Sequence, residues 1–329
     1  MTAHDDRLEP LARLSTGRFE SVVSTALNDH EFALCLTHDV DRPYKRHQAL
    51  YYALHERSRM GYHLRTALPD RNPYWQFEDI MTLEADLGVR SAFYFLQEPH
   101  LLADGSPRDW LSLEKWIQFL GRYDVRKEDI AAMVRELDDG GWEVGLHGSI
   151  PAHDDRDRLA REKATIEDVL GNSISGGRQH YLRLDGTQTW RHQADIGLRY
   201  DASLGSSTEY GFEHGYVPQR PFDDAFVEFP LTLMEVALPD VSDETDRAIE
   251  ECERLLVEAA RNDAVMTVLW HPRYFNPDEF PGYRRCYRCL VERALEMNAW
   301  VGTPGQFYDR LVTAVASSSP VTKETRQNP

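Results

Sequence analysis

Apolar positions along this chain fall into two alternating patterns. Runs that are apolar at every second residue, or nearly throughout, mark strands at Glu31–Asp41, Val89–Leu96, Trp142–His147, Ser173–Arg183, Leu198–Ser203, Ala264–Trp270 and Ala299–Gly302, and Ala225–Glu235 reads as extended. Between them, a period near 3.6 marks helices at His47–Tyr62, Phe77–Leu87, Arg126–Leu137, Asp154–Leu170, Gly186–Ile196, Ser242–Arg261 and Arg284–Met297. Stop signals sit where they should: Gly88, Gly140-Gly141 and Gly171 follow helical runs. Thr303-Pro304-Gly305-Gln306 reads as a capping box with proline at the first helical position, opening a last helix. Two long aromatic-rich loops interrupt the alternation, Gln97–Val125, helical in part at Ser112–Leu120, and Gly205–Asp224. Strands alternating with helices over roughly 280 residues predict an α/β fold, a parallel sheet with helices outside, open or closed into a barrel. No repeat or linker divides the chain. The expected layout is a polar lead-in over 1–30 with helical character around Leu8–Leu27, one catalytic domain over 31–314, and a Ser-rich disordered tail over 315–329.

The first strand ends unusually. In THDVD, Asp39 and Asp41 are two apart and lean to the same side of the strand. Two carboxylates at the mouth of a buried strand need a cation or a proton beside them. That suggests a metal ligand next to a general base; the plainer alternative is a strand ending in a polar turn. His38 points the other way and is not counted as a ligand. Other strand ends carry chemistry too. His147 closes an apolar strand ahead of Gly148-Ser149, and His271 closes the most apolar strand and is fixed by Pro272. Arg178 and His180 are again two apart, and an inward arginine needs an anion, for which Asp39 is the candidate. His153, six residues past His147, is a surface residue or a ligand. In parallel barrels, sites form at the C-terminal ends of strands, where these residues fall. Asp, His and His with an open position is a ligand set for a hydrolytic Zn²⁺ or another divalent transition metal.

Composition narrows the partners. With 37 basic and 55 acidic residues the formal charge is −18, which argues against non-specific nucleic-acid or anionic-membrane binding. Only Lys45, Lys115, Lys127, Lys163 and Lys323 are lysines, and an acidic, arginine-rich surface suggests a high-salt cytoplasm. The N-terminus shows no apolar signal region and no run is long enough to span a membrane, so a cytoplasmic protein is expected. Cys286 and Cys289 form a lone C-x-x-C inside a helical pattern, where that spacing is routine, so they carry no expected metal or redox role.

Five strings in order resemble the signature of the polysaccharide deacetylases of the NodB-homology type, a carbohydrate esterase family that includes chitin and peptidoglycan deacetylases. T-F-D-D resembles Thr37-His38-Asp39-Val40-Asp41, and H-[ST]-x-x-H resembles the segment from His147. R-x-P-Y resembles Arg178-Gln179-His180-Tyr181, a D-x-[AS] segment resembles Asp201-Ala202-Ser203, and L-x-x-H-P resembles the end of Val268–Pro272. The resemblance covers residues 31–272 and implies a distorted (β/α) barrel of about seven strands. It implies Asp39 as the base that activates the attacking water, Asp41 and His147 as metal ligands, and Arg178 as the residue orienting Asp39. The Tyr181 N–H would help hold the oxyanion, and His271 would protonate the leaving amine. This chain departs from the pattern in three places. One residue separates the two aspartates, Pro151 stands where the second motif has its last histidine, and His180 replaces the proline of the third. His180 then supplies the missing ligand, giving Asp41, His147 and His180. The expected function is metal-dependent removal of an acetyl group from an acetylamino sugar or a glycan precursor, with the aromatic loops around Trp110–Trp116 and Tyr210–Phe222 stacking on sugar rings. The rivals are a hydrolase of another non-peptide C–N bond and a non-catalytic glycan-binding protein.

Overall fold

The computed structural model describes residues 8–12, 14–45, 48–66, 68, 71–98 and 122–318. The Trp110–Trp116 stretch, the Ser112–Leu120 helix and most of the first long loop lie outside the described residues.

Nine strands form one sheet: β1 (Ala33–Val40), β2 (Ala92–Leu96), β3 (Glu143–Gly148), β4 (Gly176–Gln179), β5 (Tyr200–Asp201), β6 (Val227–Glu228), β7 (Leu231–Met234), β8 (Val265–Leu269) and β9 (Trp300–Gly302). The order is β6-β5-β4-β3-β2-β1-β8-β7, with β9 beside the start of β1, and every pairing between these strands is parallel. β6 and β7 stand at opposite ends of that order, yet only Phe229-Pro230 separates them in the chain. Three Cα steps span at most about 11 Å, so the two ends of the sheet must meet and the sheet curls into a distorted barrel. The strand count exceeds the expected seven because Ala225–Glu235 splits into β6 and β7, each pairing with a different neighbour.

Residue size along β1 explains the curl. Ala33 and Cys35 face the lumen with Ala92, Tyr94, Tyr200 and Ala202, while Leu34, Leu36 and Val40 pack outward in the larger core with Phe93 and Phe95. Along β1 the inward residues are small and the outward ones large, which leaves lumen space for Tyr94 and Tyr200 and suits a narrow barrel. The same alternation carries Thr37 and Asp39 inward and turns His38 outward, where its Nδ1–H donates to the Trp270 carbonyl at 2.5 Å and its Nε2 lies 3.0 Å from Glu84.

The helix Thr245–Arg261 buries Ala248, Cys252, Leu255, Leu256 and Ala259, one face at helical spacing. The capping box forms as read: Gln306 N–H donates to Thr303 Oγ1 at 3.0 Å and Thr303 N–H to Gln306 Oε1 at 3.1 Å. Its helix runs Pro304–Ser318 with Val315 buried, four residues into the stretch expected to be a tail. It packs on the helix Thr16–Leu27, whose Phe19, Val22, Val23, Ala26 and Leu27 are buried, so the expected lead-in is part of the folded body. The helix expected over His47–Tyr62 breaks into Ala49–His55 and Met60–Arg65 around Arg57–Arg59. Cys286 Sγ lies 3.8 Å from Cys252 Sγ, on the helix opposite, and both are buried free thiols.

Candidate active site

Asp39 is the last lumen-facing residue of β1 and is buried; Asp41, two residues on, is half-buried at the mouth. His147 lies near the end of β3 and pairs in register with Arg178 of β4, so the two sit side by side across the sheet. His180 follows β4, Glu235 follows β7 and His271 follows β8. All of them stand at the C-terminal rim.

Arg178 is fully buried. Its Nη1 donates to Asp39 Oδ1 and to Thr37 Oγ1, both at 2.8 Å, and its Nε to the Ala202 carbonyl at 2.6 Å. The Asp39 and Tyr94 groups hold the guanidinium charged against the pull of burial. The pairing of Arg178 with Asp39 read from the sequence is thus present as a buried ion pair.

Asp41, His147 and His180 each offer a ligand atom within 4.8 Å of the others. Hydrogen bonding tests whether a cation fits there. A carbonyl only accepts, so His147 Nδ1, 3.0 Å from the Arg178 carbonyl, carries the proton. Neutral His147 then aims the Nε2 lone pair at Asp41 Oδ1, 3.0 Å away, with Asp39 Oδ2 at 3.8 Å. Asp41 Oδ1 has no properly directed donor, and His180 Nδ1 has no partner. Lone pairs facing each other in a buried site need a positive charge between them. A proton on His147 is one answer: burial lowers its pKa, but Asp39 and Asp41 outweigh that and the net shift is upward. A divalent cation is the other, and the backbone-held Nδ1–H is how proteins orient ligating imidazoles. His180 Nε2 is 3.5 Å from Asp41 Oδ1, and burial pushes its pKa down to about 4, the neutral form a ligand requires. In metal-free protein with a second proton on His147, the Asp41 carboxyl sits well below the usual range: burial would raise it, but hydrogen bonds from His147 and His271 prevail. The residues fit a metal.

His271 flanks the other side. Its Nδ1 lies 2.6 Å from Oε1 of the fully buried Glu235, and its Nε2 lies 3.4 Å from Asp41 Oδ2. Burial lowers its pKa, yet Glu235 and Asp41 carry it up to about 10. Sequence reasoning missed Glu235. The available signal was a carboxylate closing an apolar extended run, the same signal that singled out Asp39. Also missed were Tyr74, Phe77, Arg42 and Arg273, which line a small open cleft with Asp39, Asp41 and His271.

Other expectations fall elsewhere. His153 Nδ1–H donates to the Ile150 carbonyl at 2.8 Å, and the ring is not in the Asp41 cluster. Asp201 is locked by Trp190, Gln193 and Ser203. Tyr210 and Tyr216 reach Glu251 and Glu258 on the helix Thr245–Arg261, and Tyr210, Phe212, Tyr216 and Phe222 pack against the core without lining the cleft. The described rings of the aromatic loop therefore brace the barrel wall. Tyr181 stacks on His180 with ring centroids 4.4 Å apart, is largely exposed, and has φ 58°, a left-handed conformation that bulky residues avoid.

No protein-family model matches the chain, and no protein of curated function matches it. Solved structures do. A protein from Mycobacterium smegmatis assigned as a polysaccharide deacetylase superposes with TM-score 0.57 at 19% identity, over 87% of this chain and 92% of that one. The chain has the polysaccharide deacetylase fold. Two further structures align with lower scores. The family 4 carbohydrate esterase from Streptomyces lividans in complex with acetate has TM-score 0.40 at 12% identity, covering 83% of this chain and 93% of that one. A family 4 pseudoenzyme from Bacillus anthracis has TM-score 0.45 at 11% identity, covering 86% and 66%. Within the fold of the deacetylases, the rim carrying Asp39, Asp41, His147 and His271 is where a site would be built. Among the described residues no helix is long and apolar enough to cross a membrane.

Proposed function

We propose that this protein is a metal-dependent hydrolase that removes the acetyl group from an N-acetylated sugar or glycan precursor in the cytoplasm. One observation carries the reading. Asp41, His147 and His180 gather within 4.8 Å, between the Arg178-paired Asp39 and the Glu235-backed His271. Asp41, His147 and His180 would hold the metal, for which zinc suits the donor set of one carboxylate and two imidazoles. Such an ion supplies Lewis acidity toward the acyl oxygen and makes a nearby water more acidic.

The remaining work belongs to the chain. Arg178 holds Asp39 by one oxygen, 2.8 Å from Nη1, and leaves the other to take the proton of the attacking water. Glu235 fixes the Nδ1–H of His271, so that Nε2–H faces the cleft. When the tetrahedral centre collapses, the C–N bond breaks, the nitrogen takes that proton, and acetate and a free amine remain. Tyr181, strained at φ 58° beside His180, would present its backbone N–H to the developing oxyanion.

The deciding experiment is His271→Ala. It should retain metal at the wild-type ratio and lose about 10²–10⁴-fold in amide hydrolysis. An acetyl ester with a good leaving group needs no proton and should suffer less. Loss of metal in this variant, or equal loss on amide and activated ester, would remove His271 from the role. Wild-type turnover of cyclic amides rather than acetylated sugars would shift the reading to another C–N hydrolase, and wild-type protein without stoichiometric metal would leave only a glycan-binding role.

A further inference from the structure

Charge is distributed unevenly along this acidic chain. Residues 42–71 carry seven arginines and lysines (Arg42, Lys45, Arg46, Arg57, Arg59, Arg65, Arg71) against two acids (Glu56, Asp70), a net of +5. The remaining residues hold 30 basic and 53 acidic groups, a net of −23. Arg57, Arg65 and Arg71 are exposed and pair with no carboxylate among the described residues.

The same excursion exposes apolar surface. Tyr51, Leu54, Met60, Leu64 and Leu68 are between 38% and 59% exposed, and most of the large hydrophobic side chains left open to solvent among the described residues are these five. Tyr181 and Val236, beside His180 and Glu235 at the C-terminal rim, are exposed as well. The exposure does not come from fraying. Lys45 is fully buried, paired with Glu279 and 3.0 Å from His63 Nδ1, with the rings of Tyr52, Tyr62 and Tyr74 around its ammonium at 4.9–5.6 Å. Tyr62 also donates to Glu279 at 3.0 Å, and Arg59 donates to the Asp278 carbonyl. The inner face is thus pinned to the segment after β8, and Tyr74 belongs to both this clamp and the cleft wall.

We propose that this basic, apolar rim docks on an anionic lipid bilayer, with the cleft at the membrane surface. Exposed leucines and methionine interleaved with arginines that meet no carboxylate among the described residues are the chemistry of a membrane-surface segment. An acidic remainder does not prevent this, because charges more than about 8 Å from the lipid headgroups are screened at physiological salt. A second copy of the chain fits less well: a two-fold interface would set the basic segment against itself. Resting on the deacetylase reading, docking would bring the cleft to an acetylamino sugar carried on a lipid.

The test is sedimentation of the full chain with vesicles, which needs no turnover and so stands apart from the test of hydrolysis. Vesicles of phosphatidylcholine alone are compared with vesicles containing an equal part of phosphatidylglycerol, at low and high salt. The expected result is binding to the anionic vesicles only, weakened by salt. Each arginine neutralised should weaken it about fivefold, so Arg57→Gln, Arg65→Gln and Arg71→Gln together should cost on the order of a hundredfold. Leu54→Glu with Leu64→Glu should abolish it while melting temperature and metal content hold. Equal binding to both vesicle types, no binding to either, or a concentration-dependent dimer that the leucine pair abolishes would each overturn the proposal.

Discussion

Arg178→Met is the sharpest probe of the barrel mouth. Arg178 has no exposed surface, and three acceptors depend on it: the Asp39 carboxylate, Thr37 Oγ1 and the Ala202 carbonyl. Methionine fills much of the volume but leaves Asp39 buried at 3% exposure without its cation. Removing one partner of a buried ion pair costs about 3–5 kcal/mol. Unfolding entropy near 2.1 cal/mol/K per residue over 329 residues is about 0.7 kcal/mol/K, so the melting temperature should fall by about 4–7 °C. Arg178→Lys keeps the charge but loses the fork, and with it at least one hydrogen bond to a charged group, about 1.5–3 kcal/mol. Its kcat should fall while metal content persists, because the base is misdirected and the ligands are untouched. The assay is differential scanning calorimetry with a double-mutant cycle. The Asp39→Asn/Arg178→Met double variant should cost less than the two single changes added together, since the orphaned charge is gone. A melting temperature of Arg178→Met within about 1 °C of wild type, or strict additivity in the cycle, would refute the buried pair. Unchanged kinetics in Arg178→Lys would remove Arg178 from the mechanism.

Three further expectations follow from the same geometry. Asp41→Asn and His147→Ala should each lose stoichiometric metal by elemental analysis, whereas His153→Ala should keep it, since only the first two lie in the ligand cluster. In metal-free protein, His271 stabilises the fold through its carboxylate partners, because its folded pKa of about 10 lies above the ordinary 6.5. That contribution is fully present below pH 6.5 and is lost as pH rises through about 10; Glu235→Gln should flatten this decline in urea midpoints measured across the window. Glu162, pushed up to about 7 by burial against the opposing hydrogen bonds from Ser149, acts in the same direction over a lower window. Its ionisation costs stability as pH rises from 4.5 to about 7, so Glu162→Gln should be relatively more stable at the upper end of that range, read by the same denaturation.

Period-two and period-3.6 patterning determined the element order, the parallel sheet and the positions of the strand ends, because side-chain direction follows directly from backbone repeat. The same rule placed Asp39 and Asp41 on one side of β1 and His38 on the other. Arg178 and His180 were legible for that reason, and their meeting with Asp39 and Asp41 across the barrel follows from strands standing in register. Glu235 was not legible as the partner of His271. The two are 36 residues apart, and only the pairing of β7 with β8 at the sheet's end brings them within 2.6 Å. The closure of the barrel was equally hidden, since nothing local tells Val227–Glu228 and Leu231–Met234 to pair with opposite ends of the sheet. The aromatic loop around Tyr216 was misplaced because aromaticity does not say which surface a ring buries. Sequence alone likewise yielded a net charge of −18, which concealed the basic excursion; folding determined that its leucines stay exposed while Lys45 is buried against Glu279. Local periodicity fixes which way a residue faces, and only tertiary packing decides what it faces.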